Sequence, residues 1–216
     1  MLSRASARAA ALGSAKQGIG KLQVDSTALF VCDIQKVFAP LIHEFPSLVA
    51  NTNTLINATR DMGMRPAVIT EQVPRTFGNT VDEILSVAGS ACPVIEKTDF
   101  SMVSESVIEA AGGAALRSVV LTGIEAHVCV QQTALDLMEQ GIDVHVVVDA
   151  VSSQRQTDRD GALHRMAQSG AYLTTVESVM FSLMGGATHP SFRSVLKHIK
   201  GHAATPGSLG MPNGGR

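Results

Sequence analysis

The chain has 216 residues, 45% of them hydrophobic and 17% charged, and its 17 basic and 19 acidic residues give a formal net charge of −2. This composition is typical of a globular protein with one large core, and the near-neutral charge argues against electrostatic capture of nucleic acid. No segment is apolar over the roughly 18 residues that a membrane-spanning helix requires, so we expect neither a nucleic-acid nor a membrane partner. The three cysteines form no CxxC pair, which indicates a reducing compartment rather than a disulfide framework or a zinc knuckle.

The two ends of the chain differ from its middle in composition. Residues 1–23 are rich in Ala, Ser and Gly and contain basic but no acidic residues, which is typical both of a mitochondrial transit peptide and of an unstructured tail. We therefore expect a flexible segment there, and a location in the mitochondrial matrix or the cytoplasm. The Gly- and Pro-containing residues 201–216 predict a disordered tail, so that residues 24–200 form the folded domain.

Between the ends, short β-branched runs alternate with segments of helical periodicity. Strands are predicted at residues 27–34, 65–70, 93–97, 118–124, 143–150 and 171–176, and helices at 46–62, 103–111, 127–140 and 156–169. Several strands are apolar at consecutive positions, as strands covered on both faces are. The repeated βα units predict an α/β fold, namely a Rossmann-like three-layer sandwich with a six-stranded parallel sheet.

Three polar residues follow strands at the edge where an open parallel sheet binds its ligands. Asp33 closes the first strand, Lys97 ends the third, and Cys129 follows the fourth where a helix begins. Each alone has an ordinary explanation, as a cap, a solvated strand end or a buried inert thiol. Together they favour a nucleophilic site, because a helix start and an ammonium stabilise a thiolate. Whether the resting site holds thiol plus carboxylate or thiolate plus acid stays open.

The other cysteines and two further polar residues are expected to lie outside the chemistry. Cys32, inside the first strand, should point away from the site into helix packing, and Cys92 precedes the third strand at the opposite end of the sheet. His127 is two positions from Cys129, and such helix positions do not face each other. Asp149, at the end of the fifth strand, is interpreted first as a turn residue and second as a pocket residue.

These residues resemble the motifs of the isochorismatase-like cysteine hydrolases. The family has an Asp-x-Gln at the end of strand one, a Lys after strand three and a Gly-Ile-x-x-x-x-Cys loop after strand four. The resemblance runs from about residue 26 to residue 200. The matching residues in this chain are Asp33 with Gln35, Lys97, and Gly123 and Ile124 with Cys129.

The resemblance implies a catalytic triad of Asp33 as general base, Lys97 as its charged partner and Cys129 as nucleophile. It also implies a cis peptide bond between Ile124 and Glu125, and an oxyanion hole made by the backbone amides of Glu125 and Cys129. The predicted substrate pocket consists of Gln35, Phe38, Glu71, Gln72, Phe100 and Ile124.

Two departures from family patterns narrow the expected chemistry. Nicotinamidases of the family bind a metal through histidines after strand two, whereas residues 71–77 contain no His, so we expect no metal and no cofactor. Members that cleave isochorismate lack the cysteine, so Cys129 argues against vinyl-ether hydrolysis. The resemblance therefore predicts a homo-oligomeric hydrolase that cleaves a small-molecule amide or related C–N bond through a cysteine thioester.

Two alternatives to this activity stay open. The chain could be a catalytically idle oligomeric scaffold or interaction module, although an intact Asp33, Lys97 and Cys129 argue against that interpretation. Some relatives have been named mitochondrial-associated ribonucleases, but a chain with one Tyr and no Trp offers few aromatic rings for base stacking.

Overall fold

The computed structural model describes residues 19–203 and residue 209. Its six strands form one parallel sheet in the order β3-β2-β1-β4-β5-β6. Strands β2 and β3 therefore follow one another outward from β1, and β5 and β6 follow one another outward from β4 on the opposite side. The predicted α/β fold with a six-stranded parallel sheet is confirmed. The strands are β1 (Thr27–Cys32), β2 (Val68–Gln72), β3 (Val94–Lys97), β4 (Ser118–Gly123), β5 (Asp143–Val151) and β6 (Tyr172–Thr174).

Helices cover both faces of this sheet. In the described part of the chain they are α1 (Phe45–Asp61), α2 (Pro74–Phe77), α3 (Asp82–Ala88), α4 (Glu105–Ala110), α5 (Gln131–Glu139), α6 (Gln156–Gln168), α7 (Val176–Met184) and α8 (Phe192–Ala203). A π-helical turn, Ala126–Val130, leads directly into α5. Residues of α1, α3, α7 and α8 pack in one hydrophobic cluster, and residues of α4, α5 and α6 pack in another.

Strand β1 contributes alternately to the two hydrophobic clusters. Leu29 and Val31 belong to the cluster with α1, whereas Ala28, Phe30 and Cys32 belong to the cluster with α5. All six residues of β1 are buried, and so are all six of β4. The continuous apolar runs of the sequence are therefore explained by helices on both faces of the central strands. This alternation also places Cys32 on the same side of the sheet as α5.

The observed elements differ from the predicted ones in the bounds of two strands and in three helices. The predicted strand at 65–70 starts later, at Val68, and runs to Gln72. The predicted strand at 171–176 ends at Thr174, because Thr175 caps a helix that was not predicted, α7, by accepting a hydrogen bond from the N–H of Ser178 at 3.3 Å. The short helices α2 and α3 were also not predicted.

Most residues of the two predicted terminal segments lie outside the described part of the chain. Within the described part, Leu22 is buried in the core, α8 extends to Ala203, which is three residues into the predicted tail, and Leu209 is buried against the same cluster as α8. The residues that could direct the protein to mitochondria are not described, so the location stays a prediction. No helix among the described residues has the length and apolar character needed to cross a membrane.

Candidate active site

Asp33 lies at the carboxyl end of β1 and is held by the neighbouring strand β2. Its N–H donates to the carbonyl of Thr70 at 3.2 Å, and its Oδ1 accepts a hydrogen bond from Oγ1 of Thr70 at 2.7 Å. The residue is only 2% exposed and has a φ of 52°. Left-handed backbone is uncommon for residues other than glycine and occurs often at functional sites. Both the main chain and the carboxylate of Asp33 are therefore fixed in position.

Lys97, at the end of β3, supplies the charge that balances this carboxylate. Its Nζ lies 2.7 Å from Oδ2 of Asp33, and the side chain is 9% exposed. The same ammonium donates to Oε1 of Gln72 at 2.6 Å and to the carbonyls of Asp99 and Phe100 at 3.0 and 2.9 Å. The ion pair is thus buried and surrounded by acceptors, the condition under which a desolvated cation is tolerated.

The pKa of Lys97 is raised above its ordinary value. Burial acts in the opposite direction and lowers this pKa, but the negative charges available on Cys32, Asp33 and Cys129 raise it by more in total. Lys97 therefore remains an ammonium throughout the neutral range, and its charge is available to any anion that forms beside Asp33.

Two thiols, not one, lie beside Asp33. Cys129 is in the π-helical turn and is 7% exposed, and its sulfur, the sulfur of Cys32 and a carboxylate oxygen of Asp33 all lie within 4.8 Å of one another. Sγ of Cys32 donates to Oδ2 of Asp33 at 3.5 Å. The prediction that Cys32 points away from the site is wrong. It shares the side of β1 that faces α5, and Cys129 belongs to the same cluster.

Burial is the largest cause of a raised pKa at Cys32, followed by its hydrogen bond with Cys129 and by the negative charge of Asp33; Lys97 opposes these effects only in part. Cys32 is therefore a thiol at neutral pH and donates a hydrogen bond to Asp33.

A glycine and a cis peptide bond bring the loop of Cys129 close to β1. A Cβ atom on Gly123 would lie 2.1 Å from the carbonyl oxygen of Cys32, so no other residue fits at this crossing. Gly123 also has a φ of 115°, a conformation that L side chains rarely adopt. The peptide bond between Ile124 and Glu125 is cis, as the sequence resemblance implied.

The loop is anchored on its other side to the chain that follows β5. The N–H of Ala126 donates to the carbonyl of Ser152 at 2.8 Å, and the carboxylate of Glu125 accepts from the N–H of Gln154 at 2.9 Å. The carbonyl of Glu125 accepts the N–H of Val130 at 3.2 Å. These bonds fix the turn that carries Cys129 from both ends.

A cavity of about 170 Å³ opens onto Asp33 and Cys129. Its wall is mainly apolar, and the rings of Phe38 and Phe77 stack there with centroids 5.2 Å apart. Four predicted pocket residues line this cavity, and the sequence did not lead us to Phe77 or Val128. The lining residues are Asp33, Phe38, Gln72, Phe77, Phe100, Ile124, Glu125, Val128 and Cys129.

Gln35 and Glu71, also predicted as pocket residues, do not line this cavity. Gln35 is fully buried, donates through Nε2 to the carbonyls of Gln72 and Gly78 at 3.0 and 2.6 Å, and accepts the N–H of Gln72 at 2.8 Å. The carboxylate of Glu71 accepts the N–H of Thr80 at 2.6 Å. Both residues hold the segment after β2, which contains α2, and act on the cavity only through the position of that segment.

Other polar residues near the sheet edge have partners elsewhere. Nδ1 of His127 lies 3.0 Å from Oγ of Ser153. Oδ1 of Asp149 accepts the N–H of Val176 at 3.0 Å, at the start of α7, and burial raises the pKa of this carboxyl group. A larger cleft of about 440 Å³ includes Lys97 but neither Asp33 nor Cys129 among its lining residues. Of these two cavities, only the smaller one is lined by both Asp33 and Cys129.

One group of residues in the described part of the chain has the spacing of metal ligands, and it is the same cluster of Cys32, Asp33 and Cys129. An ammonium already lies 2.7 Å from Oδ2 of Asp33. Lys97 would repel a divalent cation placed between these three ligands.

Comparison with known proteins identifies the family. The Isochorismatase domain matches residues 27–178. The chain is 44% identical over 202 residues to isochorismatase domain-containing protein 2 of Xenopus laevis, which covers 93% of this chain and 97% of that protein. It is 44% identical over 197 residues to the secreted isochorismatase effector Isc1 of Phytophthora sojae, covering 89% and 93%. The MAR1 ribonuclease structure from Caenorhabditis elegans matches with a TM-score of 0.83 at 41% identity, covering 89% of this chain and 98% of that chain. The chain therefore belongs to the isochorismatase family and has its hydrolase fold.

Proposed function

We propose that this protein is a cysteine hydrolase that cleaves a small amide, or a related C–N bond, through a thioester on Cys129. The observation that carries the proposal is the buried ion pair of 2.7 Å between Lys97 and Asp33, beside a cavity-lining thiol within 4.8 Å of the Asp33 carboxylate. A carboxylate that is fixed, charged and adjacent to a thiol can accept the thiol proton.

The reaction divides into two steps that use the same groups. Asp33 accepts the proton of Cys129, and the thiolate attacks the carbonyl carbon of the substrate. The backbone amides of Glu125 and Cys129 stabilise the oxyanion. The C–N bond then breaks as Asp33 returns the proton to the leaving nitrogen, which leaves a thioester. In the second step Asp33 accepts a proton from water, hydroxide attacks the thioester, and the acid leaves as Cys129 regains its proton.

The cavity favours a small, uncharged acyl group. Its volume of about 170 Å³ is below the roughly 300–1,000 Å³ of sites for drug-sized ligands. Among the described residues, its wall includes Phe38, Phe77 and Phe100 but no Lys or Arg, so a carboxylate on the acyl group would lack a cationic partner in that wall.

A screen of uncharged primary amides with the full chain tests the proposal. We expect turnover of at least one amide. When the reaction of a slowly hydrolysed amide is stopped with acid, the mass of the acyl group should be found on Cys129. Cys129→Ala should lower the rate by about 10³-fold or more and should abolish the adduct. Cys92→Ser is the matched control, since Cys92 is a buried thiol outside the lining of this cavity. Undiminished activity of Cys129→Ala, or an adduct on Cys92, would contradict the proposal.

We infer that this hydrolysis needs no metal ion, because Lys97 already neutralises Asp33 and residues 71–77 contain no His. Dialysis against a chelator should leave the rate of the full chain unchanged. A stoichiometric metal whose removal abolishes turnover would contradict the inference.

The same preparation tests the two other functions. The word ribonuclease describes the nematode relative, and the cavity wall, as far as the structure describes it, has no basic residue to bind a phosphate. Absence of turnover with any amide, combined with cleavage of single-stranded RNA that Cys129→Ala abolishes, would favour ribonuclease activity. Absence of both activities would favour a scaffold. The predicted homo-oligomer is tested on this material by sedimentation.

A further inference from the structure

Cys32 takes no part in the hydrolysis proposed above, although its thiol lies inside the site. The sulfurs of Cys32 and Cys129 are within 4.8 Å of each other. They are on separate elements, the end of β1 and the π-helical turn, so their approach depends on the tertiary fold. A disulfide needs a sulfur separation of about 2.05 Å, which requires a small movement of one side chain or of the turn.

The two thiols differ in access to solvent. Cys129 lines the cavity, whereas Cys32 is fully buried and is not among the residues of the cavity wall. A small oxidant that enters the cavity therefore meets Cys129 first. Cys32 remains protonated, since burial raises its pKa, and Oδ2 of Asp33, at 3.5 Å, is placed to accept its proton. From this geometry we expect Cys129 to be oxidised first and Cys32 to react second.

We propose that Cys32 is a resolving thiol for Cys129: a peroxide oxidises Cys129, and Cys32 then closes a reversible disulfide with it. The disulfide would inactivate the nucleophile and protect it from irreversible oxidation. The loss of activity rests on the proposed function, but the disulfide itself depends only on the positions of the two thiols.

The chemistry balances with one peroxide for each pair of thiols. The Cys129 thiolate attacks one oxygen of the peroxide and the O–O bond breaks, giving a sulfenic acid and one water after the released hydroxide takes up the thiol proton. The sulfur of Cys32 then attacks the sulfur of Cys129 while Asp33 accepts its proton. The S–O bond breaks, and the departing hydroxide takes this proton from Asp33 as the second water. A dithiol reductant reverses the reaction by disulfide exchange.

Peptide mapping of the full chain tests the disulfide without a substrate. Trypsin places the three cysteines on three different peptides, residues 22–36, 76–97 and 118–155. The native protein is treated with one equivalent of hydrogen peroxide, its free thiols are alkylated in denaturant, and it is digested without reductant. We expect peptide 22–36 linked to peptide 118–155, with peptide 76–97 alkylated, and we expect dithiothreitol to restore both free thiols.

Two variants complete the test. In Cys32→Ser the link cannot form, and we expect Cys129 to reach the sulfinic and sulfonic acids about tenfold faster than in the wild type and to stay oxidised after dithiothreitol. Cys92→Ser should behave as the wild type does. A link through Cys92, or equally fast irreversible oxidation of Cys129 in the wild type and in a folded Cys32→Ser, would overturn the proposal. If Cys32→Ser does not fold, the maps of the wild type and of Cys92→Ser decide alone. Failure to find an amide substrate would leave these maps unchanged.

Discussion

Lys97 and Arg159 are both basic side chains buried beside the sheet, but their partners differ. Lys97 pairs with Asp33, whose carboxylate borders a cavity and a thiol. The guanidinium of Arg159, whose side chain is 2% exposed, donates from Nε to the carbonyl of Val151 at 3.0 Å and also to the carbonyl of Val148, and it contacts Asp160 at 3.2 Å. One cation therefore holds the side chain of Asp33 beside a cavity, and the other holds backbone carbonyls near the end of β5.

The pKa values of the two cations follow the same division. Burial lowers the pKa of Arg159, and nearby acidic groups only partly offset this effect. At Lys97 the neighbouring anionic groups outweigh burial and raise the pKa. Burial of a charge is thus not enough to indicate a catalytic site. Lys97 has an additional feature, because its carboxylate partner, Asp33, lines a cavity.

Replacement of Lys97 should have the largest effect on turnover. Lys97→Met removes the charge that fixes Asp33 and offsets the thiolate, and we expect the rate constant to fall by about 10³-fold, or about 4 kcal/mol in the transition state. The single variant also leaves Asp33 buried and unpaired, which costs about 3–5 kcal/mol of stability. The double variant with Asp33→Asn should recover much of that stability without recovering activity. Recovered turnover in the double variant would show that this ion pair, like Arg159, is structural.

Replacement of Arg159 should have the opposite profile. Arg159→Met leaves the carbonyls of Val148 and Val151 without their donors, and we expect a loss of about 3 kcal/mol in the free energy of unfolding. At a temperature where the variant is folded, its rate constant should match the wild type. Urea denaturation and turnover measured on the same samples check both statements. A fall in the rate constant as large as that of Lys97→Met would remove the distinction between the two cations.

The fold could be predicted, and so could the proximity of Lys97 and Cys129 to Asp33, because both depend on local signals in the sequence. The apolar runs of β1 and β4 indicate strands covered on both faces, and Asp33 and Cys129 stand out directly after them. Cys32 was misplaced because strand alternation puts neighbours on opposite sides, whereas the left-handed φ of 52° at Asp33 ends the alternation there. Nothing in the local sequence specifies this backbone conformation at Asp33. The N–H of Asp33 donates to the carbonyl of Thr70, which lies on another strand, β2.

The cavity wall was predicted only in part, for a related reason. Gln35 and Glu71 are polar residues next to strand ends, which is where pocket residues are usually found. Their hydrogen bonds are instead satisfied inside the protein, by Gln72 and Thr80 among others. Phe77 lies on α2, a helix of four residues that begins with Pro74, and that proline was the available signal for a helix start at the rim.

Removal of a single hydrogen bond to Asp33 should have a smaller effect than removal of its cation. Oγ1 of Thr70 is 2.7 Å from Oδ1 of Asp33. Thr70→Val keeps the shape of the side chain, and we expect about a tenfold lower rate constant with little change in the substrate concentration at half-saturation. Thr122→Val is the matched control, because Thr122 is also fully buried and donates to the carbonyl of Phe30 at 3.0 Å. Equal rate losses in the two variants would indicate a general packing effect.

The smallest expected effect concerns His145, which is also a buried basic side chain. Its Nε2 has no hydrogen-bond partner in the described part of the protein. Its ring stacks on Tyr172 at 4.9 Å. Burial lowers its pKa, and Asp143 only partly opposes this effect.

Between the ordinary His pKa of about 6.5 and the lower folded value, the unfolded chain binds more protons at this position. The free energy of unfolding should therefore decrease as the pH falls below about 6.5. His145→Phe keeps the stacking and removes the titration, so we expect this part of the pH dependence, about 1 kcal/mol or less, to disappear. Urea denaturation between about pH 5 and 7.5 measures it. An unchanged slope in His145→Phe would assign the effect to other groups.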